Sequence, residues 1–189
     1  ADRAVAYLSE QMRNIGLEPF DGSLPGNEGY LQQVPLVKMV VSPSETMTVV
    51  TPDNSLSLKY GEDFAAFNQT MSVSDIIENA ELVFAGYGIV APEYGKNDYE
   101  GLTDLDNKVA IVMVNDPGLG TEGEYFTGDA MTYYGRWTYK YEEGERQGLK
   151  GVLIIHETRG AGYPWRLAYQ HVAQCICRPD YVSFNGEKE

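Results

Sequence analysis

Side chains that could hold a catalytic metal ion are scarce in this sequence of 189 residues. A hydrolytic centre with two zinc ions needs several histidine and carboxylate ligands that hold the metals a few Å apart around a shared water. The sequence contains two histidines, His156 and His171. The chain is therefore expected to hold no zinc and no catalytic residue. His156 is expected to be a locally hydrogen-bonded residue at a strand end, and His171 supports no assignment.

Acidic residues are concentrated in a Gly-rich segment that covers residues 116–129. It contains Asp116, Glu122, Glu124 and Asp129, and oxygen ligands from such loops suit hard cations. The order D-x-[DN]-x-[DN]-G of an EF-hand is absent. The spacing therefore favours a solvated acidic loop over a calcium site.

Other short motifs suggest no chemistry. The sequences GYG at residues 86–88 and GLG at residues 118–120 lack the G-x-G-x-x-G register and a following Lys-Ser/Thr, so they are interpreted as turns. No G-x-S-x-G is present for a serine nucleophile. Cys175 and Cys177 are too close in sequence for an ordinary disulfide and too few for a zinc cluster. Free or intermolecular thiols are the simplest expectation.

The segment MTYYGRW, residues 131–137, is the strongest candidate for a binding surface. Aromatic residues and arginine contribute much of the energy of protein interfaces. Tyr133, Tyr134 and Arg136 are therefore predicted to face a substrate, and the alternative for the tyrosines is core packing.

Charge and hydropathy exclude two kinds of partner. Lysine and arginine number 14 against 28 acidic residues, which gives a net charge of −14. Such a chain repels phosphate backbones and anionic lipids, so no nucleic-acid partner is expected. No apolar run approaches the roughly 20 residues of a membrane helix, so no membrane span is expected either. The sequence begins without Met or a hydrophobic leader, which indicates that a leader was removed or the chain was trimmed.

Two apolar runs predict a sheet with a helix packed against it. Residues 109–114 and 152–155 are rich in β-branched side chains and are typical of buried strands. The residues before the second run have helical character and end at Gly148, a residue suited to a left-handed helix stop. Trp137 and Tyr141, four positions apart, are expected to face this sheet. The pattern predicts a mixed α/β fold.

The N-terminal residues 1–15 predict an amphipathic helix that ends near Gly16. Its apolar face consists of Ala4, Val5, Leu8, Met12 and Ile15. Full burial of a large apolar side chain stabilises by about 1.5–3 kcal/mol. We therefore expect this face to be covered by the rest of the protein or by a second copy of the chain in a homodimer. A monomeric mass in light scattering, together with a solvent-exposed helix face, would count against that cover.

Further strands are expected at residues 46–50, 55–60, 71–77 and 82–85. The first two are separated by Pro52-Asp53-Asn54, a combination typical of tight turns, and predict a half-buried hairpin.

Several motifs agree in order with a known domain. They are AGYGI at 85–89, NDYEGL at 97–102, KVAIV at 108–112 and YYGRWTYKYEE at 133–143. Together they resemble the protease-associated (PA) domain, over about residues 60–165. The most similar PA domains are those inserted into secreted di-zinc aminopeptidases of the aminopeptidase Y and glutamate carboxypeptidase-like family. Residues 1–40 resemble the start of the peptidase domain, and residues 41–165 resemble the PA domain. Residues 166–189 form a C-terminal tail that is assigned to neither.

This resemblance implies a β/β/α open barrel or sandwich with a few helices. It also implies a non-catalytic portion that covers the peptidase cleft and modulates the access of peptides, with zinc in the parent peptidase domain. The partners would be a peptide substrate or that peptidase domain, in an extracellular or periplasmic location. Glu142-Glu143 precedes the point where the peptidase core would resume, so it supplies no general base. The alternative is a stand-alone module that binds proteins or peptides.

Overall fold

In this computed structural model, the described residues are 2–35, 37–40, 42–66, 74–123, 125–172 and 174–177. The described residues fall into two compact units. Those up to residue 39, together with residues 176–177, form the first unit, and those between residues 40 and 175 form the second. The helices are α1 (Asp2–Asn14), α2 (Trp137–Arg146), α3 (Thr158–Ala161) and α4 (Trp165–Val172). The strands are β1 (Val37–Val40), β2 (Thr46–Val50), β3 (Ser55–Lys59), β4 (Glu81–Phe84), β5 (Val90–Ala91), β6 (Lys96–Asn97), β7 (Lys108–Met113), β8 (Gly151–Ile155) and β9 (Gln174–Cys177). This mixture of helices and open sheets confirms the predicted α/β class.

The first unit contains the predicted N-terminal helix. Helix α1 ends where Gly16 adopts φ +80, and the N–H of Leu17 then bonds the carbonyl of Met12. Within this unit the apolar face is exposed, up to 72% at Ile15. The expectation that the rest of the protein, or a second copy of the chain in a homodimer, covers this face stays a prediction.

The centre of the second unit is a parallel sheet of three strands in the order β4-β7-β8. Val109, Ala110 and Val112 of β7 are buried, as their β-branched run predicts. Helix α2 connects β7 to β8 and packs on β8, and Gly148 ends the connection with φ +77. At Gly144 an added Cβ would lie only 2.3 Å from Val152 Cγ2, so the helix rests directly on the sheet. The predicted strand, helix and strand are all confirmed.

The described part of this unit also contains two smaller antiparallel pairs. Strands β2 and β3 form the predicted hairpin, and the N–H of Thr51 bonds the carbonyl of Asn54 at 2.8 Å across its turn. Strands β5 and β6 form a short ladder beside the turn that follows β4. No helix in the described part of the chain is both long and apolar enough to cross a membrane.

The strand predicted at residues 71–77 is wrong for residues 74–77, which form no strand; residues 71–73 lie outside the described residues. Ile76 and Ile77 are exposed, and Asn79 turns the chain with φ +52. Two consecutive apolar residues do not make the alternating pattern that a half-buried strand requires. The strand predicted at residues 82–85 is present as β4.

Candidate functional site: a buried lysine beside an aromatic surface

The turn that follows β4 is held by a carboxylate from farther along the chain. Asp98 Oδ2 accepts hydrogen bonds from the N–H groups of Tyr87 and Ile89, both at 3.1 Å, while Asp98 Oδ1 pairs with Lys96 Nζ at 2.7 Å. Gly86 lies against this carboxylate with φ +51, and an added Cβ would be 2.9 Å from Asp98 Oδ1. The turn therefore requires both the glycine and the aspartate.

Lys140, on α2, joins this turn to the end of β7. Its side chain is fully buried, and Nζ donates hydrogen bonds to the carbonyls of Tyr87 and Asn115. Burial lowers the pKa of Lys140 to about 7, and the carboxylates of Asp98 and Asp116 oppose that change. The amine thus crosslinks two loops at the carboxyl ends of parallel strands, a common location for functional sites in α/β proteins.

Asp116, the next residue after Asn115, is also fully buried. Its Oδ1 accepts from the N–H of Gly118 at 3.0 Å, and its Oδ2 accepts from the N–H and Oγ1 of Thr132 at 2.9 and 2.6 Å. In the same loop, Asp129 Oδ1 accepts from the N–H of Gly120 at 2.8 Å. The prediction of a solvated acidic loop is therefore wrong for Asp116. Composition shows the charge of this carboxylate but not the backbone donors that the fold brings to it.

Of the other two acidic residues of this loop, Glu122 is exposed and Glu124 lies outside the described residues. Among the residues that the structure describes, no group of three or more His, Cys, Asp or Glu side chains is placed to hold a metal ion.

Lys140, Asp98 and the carbonyls of Tyr87 and Asn115 are called the lysine network below. An aromatic cluster of Tyr94, Phe126, Tyr134 and Tyr139 lies beside it. Phe126 is fully buried and stacks on Tyr94 with ring centroids 4.1 Å apart. Tyr134 meets Phe126 edge-on at 5.9 Å and Tyr139 at 4.9 Å. The Tyr139 hydroxyl exchanges hydrogen bonds with the backbone of β5 at 3.1 Å. These edge-on and stacked contacts are the favoured arrangements of aromatic rings, so much of the tyrosine content of this region is structural.

The three residues predicted to face a substrate have different surroundings. Tyr133 is 53% exposed, and its hydroxyl donates to Glu142 Oε2 at 2.8 Å. Arg136 is exposed at the N-terminus of α2 and forms no ion pair with any described residue. Tyr134 is half-buried within the aromatic cluster. Tyr133 and Arg136 are thus accessible to a partner. Tyr134 mainly packs in the aromatic cluster that underlies these two exposed residues.

Tyr134 also anchors this surface to the segment after β5. Its hydroxyl donates to Glu93 Oε1 at 2.5 Å. This hydrogen bond, with burial as a smaller cause, raises the pKa of Tyr134 to about 12, and the same bond lowers the pKa of Glu93. The pair therefore stays tyrosine and carboxylate near neutral pH.

The lysine network was not predicted from the sequence, although one signal for it exists. Tyr139, Lys140, Glu143 and Gly144 are all buried and form one face of α2. A glycine inside a helix indicates close packing, and Lys140 lies one turn before Gly144. A charged residue on the face marked by such a glycine is a candidate for burial with specific partners.

His156 differs from its prediction as a locally hydrogen-bonded residue. Its Nε2 is buried without a hydrogen-bond partner in the described part of the chain. The imidazole lies 5.6 Å, between ring centroids, from both Tyr163 and Trp165. Aromatic rings supply packing at this position where the prediction assumed a polar neighbour.

Comparisons of this chain with protein-family models, with curated proteins and with solved structures found no match.

Proposed function

We propose that this chain is the non-catalytic, protease-associated portion of a zinc aminopeptidase-like protein and that it modulates the access of peptides to the peptidase cleft. The observation that carries the proposal is the meeting of four separate motifs at one network. AGYGI supplies the Tyr87 carbonyl, NDYEGL supplies Asp98, the segment after KVAIV supplies the Asn115 carbonyl, and YYGRWTYKYEE supplies Lys140. The motifs that resemble a PA domain are therefore parts of one structural unit, which supports the resemblance.

The architecture of the second unit supports the same proposal. A parallel β4-β7-β8 sheet, the crossover helix α2 and the β2-β3 hairpin are compatible with the β/β/α arrangement of a PA domain. Under this proposal, residues 1–40 belong to the start of the peptidase domain. The zinc ions and the general base lie in the parent peptidase domain, and the protein is extracellular or periplasmic.

Tyr133 and Arg136 are the residues proposed to contact the peptide. An exposed guanidinium that forms no ion pair with any described residue can pair with a peptide carboxylate. The exposed ring of Tyr133 offers an apolar face beside it. The many acidic residues of the chain make such a cation distinctive. The surface is therefore expected to prefer peptides that carry an acidic residue or a C-terminal carboxylate next to an apolar side chain.

Fluorescence anisotropy with a labelled peptide that ends in Leu-Glu tests this contact. Arg136→Ala should weaken binding by roughly twofold to fivefold, which corresponds to the loss of an exposed ion pair of about 0.5–1 kcal/mol. Arg166→Ala, which removes another exposed arginine, is the matched control and should bind as the wild type does. Equal affinity of the wild type and Arg136→Ala would refute the peptide contact.

The role within a peptidase has its own readout. In the parent protein, Arg136→Ala should raise KM for an acidic peptide and leave the KM of an amino-acid p-nitroanilide unchanged, because the small substrate does not reach this surface. Zinc-dependent hydrolysis of the p-nitroanilide by this chain alone would contradict a non-catalytic portion.

A stand-alone binding module is the second candidate. The lysine network and the proposed peptide-contact residues, Tyr133 and Arg136, all lie within residues 40–175. This unit therefore has both its own core and its own candidate binding surface. Peptide binding with the expected Arg136 dependence, but without any effect on a parent peptidase, would favour this alternative.

A further inference from the structure

Glu93, exposed beside the aromatic cluster, is a carboxylate that the proposed function does not use. Its Oε1 accepts the hydroxyl of Tyr134 at 2.5 Å, and this hydrogen bond fixes its position. Glu93 forms no ion pair with any residue that the structure describes. The lysine nearest to it in sequence, Lys96, is already paired with Asp98 at 2.7 Å. The charge of Glu93 is therefore available to a cationic ligand.

Tyr94, the next residue, is the centre of an angular arrangement of rings. One of its faces stacks on the buried Phe126, while Tyr125 and Tyr134 each stand at 90° to it, with ring centroids 6.2 and 6.3 Å away. Because Phe126 covers one face, the accessible part of the half-buried Tyr94 ring lies on its other face or its edge. Tyr125 is 44% exposed. Tyrosine rings at right angles beside a carboxylate are typical of the aromatic cages that recognise alkylammonium groups.

We infer that Glu93, Tyr94 and Tyr125 bind an organic cation of the alkylammonium class. The faces of aromatic rings are electrostatically negative and attract a cation within roughly 6 Å of the ring centroid. The carboxylate adds a full negative charge, and the net charge of −14 favours cations over anions. This inference does not rest on the peptidase proposal, because Tyr133 and Arg136 are not part of the cation site.

Titration with choline, followed in nuclear magnetic resonance spectra of the backbone amides, tests this site. Dimethylbutanol, in which carbon replaces the quaternary nitrogen, has the same shape without the charge. At about 0.15 M salt, which screens distant charges, choline should give saturable shifts at residues 93–95 and 125 with a roughly millimolar Kd. Dimethylbutanol should bind at least about fivefold more weakly. Equal affinity for the two compounds, or choline shifts scattered over other acidic residues, would overturn the site.

The carboxylate is tested by a substitution that keeps its hydrogen bond. Glu93→Gln removes the charge but retains an oxygen that can accept the Tyr134 hydroxyl. It should weaken choline roughly threefold, as expected for loss of an exposed ion pair. Glu100→Gln, at another exposed carboxylate, is the matched control and should bind choline as the wild type does. Equal choline affinity of the wild type and Glu93→Gln would refute the role of this charge.

Two substitutions of Tyr125 test the aromatic contact. Tyr125→Leu keeps an apolar side chain but removes the ring, so it should weaken choline roughly threefold, whereas Tyr125→Phe retains the ring and should stay within about twofold of the wild type. Tyr7→Leu, at an exposed tyrosine of α1, is the control. Circular dichroism verifies the fold of each variant. Unchanged choline binding in folded Tyr125→Leu would contradict the contact.

An alkylammonium group can belong to a small molecule or to a lysine side chain of a peptide. Titration with N-acetyl-lysine amide separates these two sources. Tighter binding of choline would assign the site to quaternary ammonium compounds, and tighter binding of the lysine derivative would assign it to basic peptides. Binding of both cations no tighter than that of dimethylbutanol would refute the inference.

Discussion

Replacement of Lys140 by methionine should change how stability depends on pH. In the folded chain, Lys140 Nζ is buried and donates to the carbonyls of Tyr87 and Asn115. A neutral amine has two N–H donors, which match these two acceptors. Methionine has no donor, so Lys140→Met leaves two buried carbonyls unpaired. That loss should lower the free energy of unfolding by roughly 2–4 kcal/mol at pH 9.

The direction of the pH effect follows from proton binding in the two states. Lys140 has an ordinary pKa of 10.5 in the unfolded chain, and burial lowers its pKa to about 7 in the folded chain. Between these values the unfolded chain binds more protons, so stability rises as the pH increases. Over the whole interval between these two pKa values, the free energy of unfolding rises by roughly 5 kcal/mol, at about 1.36 kcal/mol per pH unit. Roughly 2 kcal/mol of this rise falls between pH 7 and pH 9.

Urea denaturation at half-unit steps from pH 7 to pH 9 measures this contribution. The interval stops at pH 9 because burial raises the pKa values of Tyr99 and Tyr139, whose linkage makes stability fall at higher pH. The wild type should gain roughly 2 kcal/mol over the interval relative to Lys140→Met. Lys150→Met, which changes an exposed lysine, should follow the wild type. Parallel profiles for the wild type and Lys140→Met would refute the reasoning.

Two further substitutions test contacts that stabilise this region, namely the hydrogen bonds of Asp116 and the packing of Gly144 on the sheet. Asp116→Ala leaves the N–H and Oγ1 of Thr132, and one further backbone N–H, without their buried acceptor, so it should lower the free energy of unfolding by roughly 3 kcal/mol in urea denaturation. Gly144→Ala places a Cβ against Val152, so it should cost roughly 1–3 kcal/mol in the same assay.

Exposed positions supply the controls for these two substitutions. Glu122→Ala, in the same loop as Asp116, and Glu145→Ala, next to Gly144 on the outer face of α2, both change exposed side chains. Each should alter stability by less than about 0.5 kcal/mol. An Asp116→Ala variant as stable as Glu122→Ala would contradict the buried carboxylate, and a neutral Gly144→Ala would contradict the close contact of α2 with the sheet.

Local sequence patterns were sufficient for most elements of the second unit. The β-branched run became β7, the helix ended near Gly148, and Pro52-Asp53-Asn54 formed the hairpin turn. Each of these features depends on neighbouring residues, through β-branching, left-handed glycine geometry or turn chemistry. The pattern failed at residues 74–77, because a short apolar pair says little about whether a strand partner is available.

The acidic charge, the α/β class and the scarcity of metal ligands follow from the amino-acid sequence alone, because these depend on composition and on spacing over a few residues. Burial of Asp116, the crosslink that Lys140 makes between two loops, and the lack of a partner for His156 Nε2 among the described residues all follow from the tertiary structure. Lys140 and the Tyr87 carbonyl are 53 positions apart. Their contact depends on how α2 packs on the parallel sheet, and burial in that packing sets the pKa and the hydrogen bonds of the site.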